Sequence, residues 1–152
     1  MWYSKVVKDL SQLPDCMIHF DAELAEARLT DLTLRGKRLE QFSAEIPGIV
    51  EQRYNQLQEI EAILEYLNID LRRKKTAAFR KYMEHHDRAL SSRDADKYAE
   101  GNEDVVDMAI LINEFALLRN KWIGLHKALE AKNFQLNNIV KLRAAGIDDA
   151  TI

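Results

Sequence analysis

From Met108 to Leu129 the apolar residues recur in unbroken steps of three and four: Met108, Leu111, Phe115, Leu118, Trp122, Leu125 and Leu129. Only an α-helix puts such a series on one side, and only a second helix covers so long a stripe. A second series, Val50, Tyr54, Leu57, Ile60, Leu64, Leu67 and Leu71, follows the same rule. Two prolines and five glycines in 152 residues leave little to interrupt either helix. No stretch reads as a strand and no segment repeats. The expected class is all-α: a long helical hairpin or bundle in a single domain-sized chain.

The two seams fix the order of the other elements. Residues 1–15 read as a short amphipathic helix carrying Val6, Val7 and Leu10, stopped near Pro14. Ile18, Ala22, Ala25, Leu29, Leu32 and Leu39 then mark a helix that ends before Pro47, because proline pushes its predecessor out of the α region. Ser43 is the candidate N-cap for the next helix, expected from about Ile49 to about Leu90. Ser91-Ser92-Arg93-Asp94 reads as a break with an N-cap, followed by a short turn of helix to Glu100 and a stop at Gly101–Asn102. The Met108–Leu129 helix is expected to end at Lys132–Asn133, since Asn tolerates the left-handed cap conformation. A last helix of about three turns stops at Gly146. Its apolar residues Phe134, Leu136, Ile139, Val140 and Leu142 occupy more than one side, so it must dock on its own subunit or on a neighbour. The division expected is a helical body over residues 1–131, with the basic segment 72–90 in it, and a C-terminal oligomerisation helix and tail over 132–152.

Charge singles out one place. Arg72, Arg73, Lys74, Lys75, Arg80 and Lys81 bring six cations and no acid into ten residues of a chain with net charge −3. The Leu71 seam fades there, so this part of the helix is expected to leave the core. Cations with Phe79 and Tyr82 among them can follow a phosphate backbone and stack bases. The alternative is a solvated basic face with aromatics that pack locally. An acidic segment follows at once (Asp94, Asp96, Glu100, Glu103, Asp104, Asp107 and Glu114, against the single cation Lys97), able to screen the basic run within a subunit or pair with it between subunits.

Other chemistry finds no footing. There is no glycine-rich phosphate loop and no cofactor motif. His85 and His86 are adjacent and point to different sides of a helix, which is no arrangement for one metal ion. Cys16 beside Met17 and Ile18 reads as a buried structural thiol, and a lone cysteine fits a reducing compartment. Trp2 and Tyr3 read as an aromatic handle or as a staple for the first helix. No apolar run reaches the length of a membrane span and no secretory layout opens the chain. The expectation is a non-enzymatic, cytoplasmic binding protein without cofactor or metal.

The residues Asp96, Lys97, Tyr98, Glu100 and Asp104, the long apolar helix after them, and then Lys132, Asn133, Phe134, Leu136, Ile139 and Arg143 resemble the UvsY-like recombination mediators of tailed bacteriophages. The basic run matches that family in character, and Asn133 stands where the family usually has glycine. The resemblance implies a protein of DNA recombination, repair and replication. Such proteins form ring-shaped homo-oligomers through the C-terminal helices and bind single-stranded DNA. They help a RecA-like recombinase replace the single-strand-binding protein, in the host cytoplasm if the chain is phage-encoded. The competing reading is a helical adaptor that oligomerises through its last helices and binds only protein.

Overall fold

The computed structural model describes residues 1–33, 39–84 and 90–147, and these are almost entirely helical, with no strand among them. Helix α1 is Trp2–Lys8, followed by a 3₁₀ turn at Leu10–Gln12. Helix α2 is Leu13–Thr30, α3 Leu39–Glu84, α4 Ser92–Glu100 and α5 Glu103–Ala144. Helix α3 has 46 residues and α5 has 42, so each extends for more than about 60 Å at 1.5 Å per residue.

The two long helices are antiparallel. Phe42 packs near Leu136, Tyr54 lies beside His126, and Ala78 meets the Val105 end. The core between them holds Leu57, Ile60, Ile63, Leu64 and Leu67 of α3 against Met108, Phe115, Leu118, Trp122, Leu125 and Leu129 of α5. Both sequence seams are therefore the real ones. Tyr54 alone sits at the edge, 46% exposed. Helix α2 runs parallel to α5: Asp21 pairs with Lys121, Phe20 meets Trp122 edge-on at 5.9 Å, and Asp31 reaches Lys132. Helix α1 rests on α3, where the Tyr3 N–H donates to Glu59 at 2.8 Å. Trp2 lies beneath the Lys5 ammonium and beside the His19 ring, so it staples α1 to α2.

Four expectations are corrected. Pro14 begins α2 rather than ending α1, because a first-turn proline gives up only an N–H that has no helical partner. Asp9, extended at φ −149°, makes the actual break, and its carboxylate accepts the Ser11 N–H. Pro47 lies inside α3. Its cost is offset by burial of Phe42 and Ile46 just before it, both closed over by Leu136. The stripe read on α2 is its outer face: Leu13, Cys16, Phe20, Leu24 and Ala27 are buried, whereas Ile18 and Leu29 are 67% and 73% exposed. The α2 sequence is apolar on two opposite sides, and the larger Phe20 and Leu24 take the core.

The fourth correction concerns the C-terminus. No break occurs at Lys132–Asn133, and the short separate helix is the end of α5. Lys132 is buried, donates to the Asp31 carbonyl and to the Thr33 carbonyl at 3.0 Å, and lies over the Phe42 ring. Leu136 is buried one turn on. Both sides of exposed Asn133 are thus anchored, and the helix passes straight through. The stop at Gly146 holds: its φ of 74° closes a Schellman motif, with Gly146 N–H donating to Arg143 and Ile147 N–H to Leu142.

Replacing Asn133 by Ala should raise stability by about 0.5 kcal/mol, because the position is an exposed helix interior. A left-handed cap there would respond in the opposite sense. Urea unfolding followed by circular dichroism reads the sign. Arg53→Ala should cost about 3–5 kcal/mol in the same assay, since it leaves the buried Asp31 carboxylate without its 2.7 Å partner.

Candidate nucleic-acid interface

Helix α3 does not leave the body at its basic run. Ala78 is buried against Ala99 of α4 and Val105 of α5, with Leu71, Phe79 and Tyr82 packed around them. The small satellite core of alanines and one valine keeps the last turns of α3 docked, which the fading seam concealed. Of the segment 72–90, residues 85–89 lie outside the described residues, and the adjacent histidines with them.

Docking sorts the six cations by side. Arg72, Arg73 and Arg80 face outward and line a shallow depression of about 380 Å³ with Ile69, Thr76 and Ala77. Arg72 makes an exposed 3.2 Å ion pair with Glu65 on its own helix. Arg73 and Arg80 have no ion pair among the described residues, which leaves their guanidinium groups to solvent. The lysines turn the other way. Lys75 approaches Glu100 of α4 at 3.8 Å. Lys74 and Lys81 share a smaller cleft with Ala77, Ala78, Asn102 and Asp104. The acidic segment thus screens part of the basic run within one subunit.

The aromatics are not free rings. Phe79 and Tyr82 are half-buried, and Tyr82 lies 5.6 Å from Tyr98 at a tilt of 33°. Helix α4 makes that contact, held by the buried Ala95 and Ala99 and capped by Ser91, whose side chain accepts the Asp94 N–H. Tyr98, Glu100 and Asp104 are the neighbours that a reading of the basic run alone misses. The acids following directly on the cations were the available signal.

The apolar residues expected to drive assembly divide as well. Leu136 is buried in its own subunit and cannot serve another. Phe134, Val140 and Leu142 are 67%, 48% and 44% exposed, and Ile139 is half-buried. Val140 lies one helical turn beyond Leu136 on the same side, so the core stripe of α5 outlasts its cover.

Comparison with protein families, curated proteins and solved structures finds no match for this chain.

Elsewhere the chemistry is quiet. Burial, with the nearby Glu59 carboxylate, pushes the Cys16 thiol up to about 12, so it carries no thiolate near neutral pH. Among the described residues no group of three or more His, Cys, Asp or Glu is placed to hold a metal ion. No described helix is long and apolar enough to cross a membrane.

Proposed function

We propose that the protein is a recombination mediator that binds single-stranded DNA as a ring-shaped homo-oligomer. The observation that carries the reading is the outward arginine face, Arg73 and Arg80 with Arg72 beside them, on a chain whose net charge is negative. A guanidinium fork suits phosphate oxygens, and nothing on this face reads base edges. The resemblance at the C-terminus supports the same reading, as do Phe134, Ile139, Val140 and Leu142 around the end of α5. In a closed ring each copy of that end is covered by its neighbours, and weak strand contacts are multiplied by avidity. Bound DNA is then handed from single-strand-binding protein to a RecA-like recombinase in the cytoplasm, without enzymatic chemistry. A protein-only helical adaptor is the second reading, favoured by the exposed Ile18 and Leu29 on the outer side of α2. The two part on DNA binding.

Fluorescence anisotropy with labelled oligo-dT over a salt series should give affinity that falls steadily as salt rises, with a slope of about −0.7 per phosphate contact. Arg73→Ala with Arg80→Ala should flatten that slope by roughly 1.4 while leaving thermal unfolding nearly unchanged. Salt-independent affinity, or none, would favour the adaptor.

Ile139→Asp with Val140→Asp should give a helical species of lower mass by sedimentation velocity, with weaker DNA binding although the arginines are intact. Burial of each large aliphatic side chain is worth roughly 1.5–3 kcal/mol, enough at two per interface to dissociate a ring at micromolar concentration. Sedimentation like the parent would place the contact elsewhere.

A further inference from the structure

Helix α4 is nine residues long and packs mainly on the last turns of α3. Its buried side chains are two alanines, Ala95 and Ala99. A helix of this length has no stability of its own, and so small an apolar contact places it at the easily opened end of the structure. What it covers is the inner half of the basic run. The Tyr98 ring lies over Tyr82 at 5.6 Å, the Glu100 carboxylate stands 3.8 Å from the Lys75 ammonium, and Asp104 shares a cleft with Lys74 and Lys81.

A ring resting on an aromatic, with carboxylates set against neighbouring cations, is the same chemistry that a single strand offers: a base on the tyrosine and phosphates on the lysines. We infer that α4 and the first turn of α5 act as an internal mimic of the strand and hold the inner half of the DNA site closed. The inference rests on the single-stranded DNA reading given above. A strand first meets the outward guanidinium groups of Arg73 and Arg80, which have no ion pair among the described residues. It then displaces α4 about the Gly101–Asn102 junction, takes the place of Tyr98 on Tyr82 and of Glu100 on Lys75, and competes with Asp104 for Lys74 and Lys81. The Glu100–Lys75 contact is exposed and weak, so polyphosphate can compete for it. The arrangement makes binding selective for ligands that bring a flat ring as well as charge, since charge alone leaves Tyr98 seated.

The two partners of one ring contact provide the test. Tyr82→Ala should weaken oligo-dT binding about tenfold, because the stacking platform is gone. Tyr98→Ala changes no charge and should strengthen binding several-fold, because the competitor is gone. Glu100→Gln with Asp104→Asn should also strengthen it, by more than Asp15→Asn with Glu26→Gln on α2, which alters the net charge equally. In the unaltered protein, hydrogen exchange of the α4 amides from Asp96 to Glu100 should quicken when oligo-dT is added. This last measurement does not depend on how well any variant folds. If Tyr98→Ala weakens binding as Tyr82→Ala does, or if α4 becomes better protected with DNA, α4 is part of the binding surface and the inference is overturned. If the unaltered protein binds no oligo-dT, the DNA reading itself fails, and the mimic with it.

Discussion

The Asp31 carboxylate, the Arg53 guanidinium and the Lys132 ammonium meet where α2 ends, and the register of the whole hairpin depends on them. Arg53 donates from Nε to Asp31 at 2.7 Å and from Nη1 to Glu23 at 3.1 Å and Gln56 at 2.9 Å. Lys132 donates to the Asp31 and Thr33 carbonyls, which α2 leaves without partners at its C-terminus. All three charged groups are buried. Buried ions contribute little net stability over apolar replacements of the same volume, because desolvation cancels most of the attraction. Their effect is selective. Sliding α5 along α3 by one turn would leave the Lys132 ammonium out of water without its two carbonyls, and sliding α2 would strip Arg53 of Asp31 and Glu23, a penalty that the apolar seam does not impose. Leucine-rich seams tolerate such slips, and this junction does not.

Register matters because the basic run lies far along the same helices. Setting Lys132 over Phe42 also sets Ala78 opposite Val105, and that contact decides which cations face outward. One helix side then carries arginines and the other lysines. Arginine keeps a fixed planar fork that grips phosphate in pairs of hydrogen bonds, whereas lysine is a mobile point charge. The exposed pairs Arg72–Glu65 and Lys75–Glu100 are each worth ~1 kcal/mol or less and fade with salt. These exposed pairs do not hold the fold.

What the sequence made legible is what depends on long repetition. Seven seam positions from Met108 to Leu129 leave one geometry open, and they are found where the spacing puts them. Single-residue signals fared worse, because tertiary contacts overrode them. Pro47 and Asn133 both read as breaks, yet each is flanked by anchored side chains: Phe42 and Ile46 before the proline, Lys132 and Leu136 around the asparagine. Helix α2 misled for another reason. Its two apolar stripes obey the same spacing, so periodicity cannot say which is buried, and only Trp122 across the interface selects Phe20. Arg53 was readable in principle. It falls in step with Ile46, Val50, Leu57 and Ile60 on the buried side of α3, where a charge calls for a partner.

The continuity of α5 bears on the assembly proposed above. A separate C-terminal helix on a turn would let a ring form while the rest of the subunit swung freely. An uninterrupted helix instead carries the exposed Val140 at one end and the Val105 contact with the basic run of α3 at the other, on one axis braced by Trp122 and by Lys132. Neighbouring subunits joined at the Val140 end would therefore present their basic faces at fixed spacing and orientation. Avidity is greatest when sites are held at the span the ligand covers, and it falls when linkers let them wander. In such an assembly the stiffness of α5, more than the strength of any one arginine contact, governs how tightly a strand is held.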